Sequence, residues 1–149
     1  MRALKVTTDA ELRDCLSIRR KVFIEEQNVP EELEMDEFDA LGQAVHVLLY
    51  DEDGSPVATA RFRPYRPGEQ RVAKVQRVAV LSDARGRGLG KRVMEAVEAL
   101  AREEGFSEIV LDAQLHAEPF YLKLGYRRAS DDVFEDAGIL HVRMQKELG

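Results

Sequence analysis

The sequence predicts one α/β domain of the mixed-sheet (α+β) kind, with element order β-α-β-β-β-α-β-α-β. Three observations predict it. The length, 149 residues, suits a single domain spanning 1–149. Two apolar, β-rich segments at 45–50 and 57–62 flank the turn Asp51-Glu52-Asp53-Gly54-Ser55, which reads as a hairpin. A long stretch of helical periodicity then separates apolar segments at 72–80 and 109–111, which reads as a crossover. Hairpins combined with one crossover imply a mixed sheet with helices on its faces.

Each element has a local cause. A short strand is expected at 3–7. Thr8-Asp9-Ala10-Glu11 follows as a capping box, in which Thr8 and Glu11 satisfy each other's free amides. Leu12, Cys15, Leu16, Val22 and Phe23 recur at helical spacing, and Pro30 cannot continue that helix, so it should end near Gln27. The acidic run to Asp39 reads as a loop with room for one helical turn. After the hairpin, 64–68 is a second turn and 72–80 a strand. Leu89, Val93, Val97, Leu100 and Ala101 form the stripe of the long helix, and Gly105 is a natural stop. Ile109-Val110-Leu111 is a short buried strand, 116–124 a short helix ending at Gly125, and 138–143 the last strand.

Composition excludes several classes. With 44% apolar and 34% charged residues the chain can build a core. No stretch approaches the ~20 apolar residues of a membrane span. The first residues carry no apolar leader, so the expected compartment is the cytoplasm. The single cysteine, Cys15, excludes an internal disulfide and a cysteine-based metal site, and no metal is expected. A net charge of -6 argues against a nucleic-acid partner. Charge is nevertheless segregated: eight acids and no Lys or Arg lie from Glu25 to Asp39, and ten bases lie from Arg61 to Arg92 against Glu69 and Asp83. One region could attract a cation and the other an anion, or both could be solvated surface.

The most informative segment is Val78-Ala79-Val80-Leu81-Ser82-Asp83-Ala84-Arg85-Gly86-Arg87-Gly88-Leu89-Gly90-Lys91. A strand runs into a glycine-rich, arginine-bearing turn that opens a helix. Alternate glycines remove Cβ atoms where a ligand approaches, and a helix N-terminus suits phosphate. The spacing fits neither G-x-G-x-x-G nor the P-loop. It does fit R-x-x-G-x-G, the pyrophosphate-binding turn of the GNAT superfamily of acyl-CoA-dependent N-acetyltransferases. The stretch Ala113-Gln114-Leu115-His116-Ala117-Glu118-Pro119-Phe120-Tyr121-Leu122-Lys123-Leu124-Gly125-Tyr126 is similar to that family's second signature. The resemblance covers essentially the whole chain. The segments 22–30, 34–39 and 136–141 resemble the small bacterial ElaA/YjcF-type branch.

The resemblance implies a splayed sheet holding acetyl-CoA and transferring its acetyl group to a primary amine by direct attack. It implies that the backbone of Val78-Ala79-Val80 pairs with the pantetheine arm and that an N–H near Val78 polarises the thioester. Gly86, Gly88 and Gly90, with Arg85, Arg87, Leu89 and Lys91, would wrap the pyrophosphate. Phe120 would wall the cleft and Gln114 would bond the pantetheine. Tyr121 would be the general acid that protonates the leaving thiolate. The base stays open: Gln76 stands where many relatives carry Glu, leaving a water relay, Glu34, Asp36, Asp39, His46 or His116. His141 reads as structural and Cys15 as core rather than nucleophile. The acidic stretch would lie on the acceptor side and favour a cationic amine. The competing reading is a non-catalytic acyl-CoA sensor or interaction module on the same fold. Family members often form homodimers.

Overall fold

A computed structural model describes residues 1–149. Strand β1 (Arg2–Lys5) leads into helix α1 (Asp9–Arg19), and the capping box at Thr8 and Glu11 forms as expected. The expected helix does not run to its end in one form. From Arg20 to Glu26 it continues as a π-helix, and Gln27 caps it. One turn, α2 (Glu31–Glu34), follows Pro30. Strands β2 (Val45–Tyr50), β3 (Pro56–Pro64) and β4 (Val72–Val80) make the antiparallel meander. Helix α3 (Leu89–Glu103) then crosses to β5 (Glu108–Gln114), and Gly105 just beyond it adopts φ 96°. Helix α4 (Glu118–Lys123), β6 (Arg127–Asp136) and β7 (Ile139–Glu147) complete the chain.

The sheet has seven strands in the order β1-β2-β3-β4-β5-β7-β6, one more than the sequence predicts. The missed strand is β6. Nine of its ten residues are exposed, so it carries no apolar alternation to read. Its pairing with β7 holds it in place, and β7 itself extends past the expected end to Glu147. Only β4 and β5 are parallel, as the α3 crossover requires.

The core lies mainly between α3 and the sheet. Leu89, Val93, Met94, Val97 and Ala101 are buried against Val47, Ala58, Ala60 and Phe62. A smaller cluster under α1 contains Cys15, fully buried among Ile18, Leu48 and Ala79. Burial pushes the Cys15 thiol up to about 11, which suits a packing role.

The acidic segment divides: Glu25, Glu32 and Glu37 are exposed to solvent, while three of its acids turn inward. Glu34, Asp36 and Asp39 fold back onto Arg19, Arg61 and Arg77. Arg61 grips Asp36 through two nitrogens at 2.7 and 2.6 Å and reaches Asp39 at 2.8 Å. Arg19 donates to Glu34 at 2.6 Å and also binds Asp39. Arg19 and Arg61 are each only 1% exposed, so they could not remain there unpaired. Formal charge in this six-residue cluster cancels. Glu26 and Glu31 are also paired, with Arg85 and Arg20.

Burial alone would raise the Asp39 carboxyl. Hydrogen bonds from Arg19 and the Asp36 amide, with the charges of Arg19 and Arg61, reverse that and hold it at about 2. A folded-state value below the unfolded one stabilises the protein above about pH 4, and that contribution is lost as pH falls toward 2. It amounts to about 2 kcal/mol. Asp39→Asn should cost about 3 kcal/mol at pH 7 by leaving two buried arginines under-paired. Urea unfolding at pH 7 and pH 3 should show that loss, together with a smaller further drop on acidification than in the parent protein.

Candidate functional site: the cleft between two parting strands

Strands β4 and β5 pair only where Val72–Val75 meets Glu108–Leu111. Beyond that point β4 follows β3 and β5 follows β7, and a cleft of about 1050 Å³ opens between them. A two-for-one bulge begins where they part. Arg61 faces Gln76 and Thr59 faces Ala79, so Arg77 and Val78 together oppose Ala60. Arg77 adopts φ 60°, a left-handed conformation that costs a side-chain-bearing residue about 1–2 kcal/mol. The edge of 76–80 that faces the cleft has no partner on β5.

At the far end of β4 the chain makes a short turn, Ser82–Ala84, and enters the glycine segment. Gly86 and Gly88 have φ 82° and 74° with open space beside them, so glycine is needed there for backbone conformation. Gly90 serves a different purpose. A Cβ there would lie 3.1 Å from Phe120, so its absence lets α3 close on that ring. No side chain caps α3, which leaves its first N–H groups available to an anion.

The side chains predicted to act with this turn divide. Arg85, Leu89 and Lys91 line the cleft with Gly86, Gly88 and Gly90. Arg87 does not; it points outward, 4.0 Å from Glu52. Arg85 is occupied by Glu26, which it grips at 2.7 and 2.8 Å, while its Nε donates to the Val80 carbonyl at 3.1 Å.

The opposite wall carries Tyr121 and Phe120, with ring centroids 4.9 Å apart and edge-on. Tyr121 is 7% exposed, and its hydroxyl makes no hydrogen bond within the protein. Burial pushes its phenol well above the ordinary value, so it keeps its proton at any working pH. Gln114 reaches the cleft but is already engaged. It exchanges amide hydrogen bonds with Gln27 at 2.8 and 3.2 Å, and its Oε1 lies 2.7 Å from His116 Nε2.

The candidates for a base are now fewer. Asp36 and Asp39 are bound in the arginine cluster and do not line the cleft. His46 is buried with Nε2 at 3.1 Å from the Phe38 carbonyl, and burial lowers its pKa. Gln76 accepts from Arg61 and Arg63. Glu34 and His116 line the cleft, and so does His141, which the sequence reading sets aside as structural. Burial pushes the Glu34 carboxyl up, partly offset by Arg19 and Arg77.

Sequence reasoning misses Glu26, Gln27, Arg77 and the tip of the β6–β7 hairpin, whose Asp136, Ala137 and Ile139 also line the cleft. A pair such as Glu26 and Arg85, 59 residues apart, leaves no local pattern to find.

Residues 5–148 match the acetyltransferase (GNAT) domain model. The protein YyaT of Bacillus subtilis is 43% identical over 149 residues, covering 99% of this chain and 97% of its own. The N-acetyltransferase YjcF of the same organism is 38% identical, covering 99% of this chain and 100% of its own. The crystal structure of Escherichia coli ElaA superposes with a TM-score of 0.84 at 26% identity, covering 98% of this chain and 99% of that one.

The three glycines should respond differently to alanine. Gly86→Ala and Gly88→Ala should each cost about 1 kcal/mol through backbone strain alone. Gly90→Ala gains helix propensity of about 1 kcal/mol and spends it displacing Phe120, so its melting temperature should stay near that of the parent. Thermal unfolding of the three variants checks this ordering.

Proposed function

Because the chain belongs to the acetyltransferase (GNAT) family, we propose that it binds acetyl-CoA between β4 and β5 and transfers the acetyl group to a primary amine. The observation that carries this reading is the cleft itself: an unpaired strand edge on one wall and an unengaged, protonated tyrosine hydroxyl on the other. The pantetheine arm lies along residues 78–80 as an added strand. The pyrophosphate meets the glycine turn and the N-terminus of α3, with Lys91 beside it and Arg85 exchanging Glu26 for phosphate.

In the reaction the amine nitrogen attacks the thioester carbonyl carbon. The N–H of Val78 receives the charge that develops on the carbonyl oxygen. The carbon–sulfur bond then breaks, an amide forms, and the thiolate takes the Tyr121 proton. The amine's surplus proton leaves toward His116 or His141, which line the cleft, directly or through water. Asp136, which lines the cleft outside the arginine cluster, supports a cationic acceptor.

One observation favours the second reading, a sensor that binds acyl-CoA without turnover. Gln76 occupies the strand position suited to a base, and its Oε1 is held by two arginines.

Tyr121→Phe should lower kcat about 100-fold and leave acetyl-CoA affinity unchanged. Turnover equal to the parent would remove Tyr121 from the mechanism. For an alkylamine of pKa ~10.4, kcat/KM should rise with pH through 9. No alkaline downturn from Tyr121 should appear, because its proton is held above that range. A thiol-release assay reads both.

A further inference from the structure

Arg77 belongs to two parts of the cleft at once. Its backbone, at φ 60°, is half of the bulge that turns Val78 out of the β3 ladder. Its guanidinium reaches across to α2. Nε donates to the Glu34 carbonyl at 3.2 Å, and Nη2 donates to the carbonyls of Glu34 and Leu33 at 3.0 and 3.3 Å. Nε also lies 3.0 Å from Glu34 Oε2.

These are the carbonyls a helix end leaves unsatisfied. Helix α2 is a single turn without a side-chain cap, and its Leu33 is 55% exposed on the cleft wall. Arg19 ties α2 to α1 through Glu34 Oε1 at 2.6 Å and the Glu34 carbonyl at 2.9 Å. Arg77 is the link from α2 to β4. Arg61 on β3 grips Asp36 just past α2, so Arg77 is the link that runs from the α2 carbonyls into the bulged strand itself.

We infer that Arg77 is a positioning residue that couples the α2 wall to the backbone N–H of Val78, so that occupancy of the wall and of the strand edge are read by each other. This rests on the proposed acetyl transfer for its meaning, with α2 as the acceptor-side wall. A shift of α2 is transmitted through a rigid planar fork into a strand residue held in a strained conformation. The same link works in reverse.

Two variants separate the backbone from the guanidinium. Arg77→Gly keeps the left-handed conformation without strain and removes the fork. Arg77→Lys keeps the charge and replaces the fork with a single ammonium. Hydrogen exchange is followed with and without acetyl-CoA. In the parent protein acetyl-CoA should slow exchange at 76–80 and also at 31–35. In Arg77→Gly the slowing at 76–80 should remain and that at 31–35 should vanish, with Arg77→Lys between them. Acetyl-CoA affinity should stay within about two-fold while the acceptor KM rises about ten-fold, the scale of one charge-assisted hydrogen bond.

Unchanged protection at 31–35 in Arg77→Gly would overturn the coupling, as would an absence of any acetyl-CoA effect there in the parent. Loss of protection throughout the cleft together with a lowered melting temperature in both variants would reduce Arg77 to a structural residue. A parent protein that binds acetyl-CoA and acetylates no amine would defeat the proposed function, and the exchange data would still decide the coupling.

Discussion

The structure depends on the point after Val75 where β4 can no longer serve two neighbours. Arg77 and Val78 crowd into the space that one residue occupies on β3, and the strand twists away from β5. A regular ladder there would have sealed the sheet and left no binding site. With the ladder broken, one strand edge is free along 76–80, and the glycine turn stands at its far end. Helix α4 has space to set Tyr121 across from it. Backbone hydrogen-bonding capacity is costly to leave unused. A free strand edge inside a protein is therefore itself a recognition surface, fitted to a ligand that offers amide groups in an extended form.

What pins this geometry is electrostatic. Six charged residues, Arg19, Arg61 and Arg77 with Glu34, Asp36 and Asp39, join α1, α2, β3 and β4 beneath the bulge. Such a cluster contributes little net stability compared with an apolar substitute, but breaking one member leaves a buried charge exposed to its full desolvation cost. Arg61 makes its contacts through both Nη atoms, while its Nε is buried without a partner, a cost the cluster bears. Geometry, more than stability, is what planar forks between strands and loops fix.

The cluster also explains which parts of the fold were legible. Helix α3 could be read because its apolar stripe is local and its neighbour, Gly105, marks the end. The β2–β3 hairpin and the glycine turn could be read for the same reason, since each is specified within a dozen residues. The acidic run 25–39 and the basic run 61–92 could be read either as two ligand surfaces or as solvated surface. Glu34, Asp36 and Asp39 instead meet Arg61 and Arg77 inside the molecule, and pairing between distant segments leaves no periodicity. Strand β6 was missed because its solvent-facing residues carry no apolar signal, and the bulge because a left-handed arginine has no sequence signature. In the site, Tyr121, Gln114 and most of the glycine turn were legible through motif resemblance. Arg87 stands outside the cleft lining, since neither motif nor spacing says which way a loop side chain points.

An acetyl-transfer site differs from a binding cleft in releasing thiol. The most direct test is thiol release from acetyl-CoA across a panel of primary amines, with calorimetric titration of acetyl-CoA alongside. Stoichiometric binding and turnover with at least one class of amine are expected if the parted strands form an acetyl-transfer site. Tight binding with no thiol released above the solvent background for any amine would contradict that assignment.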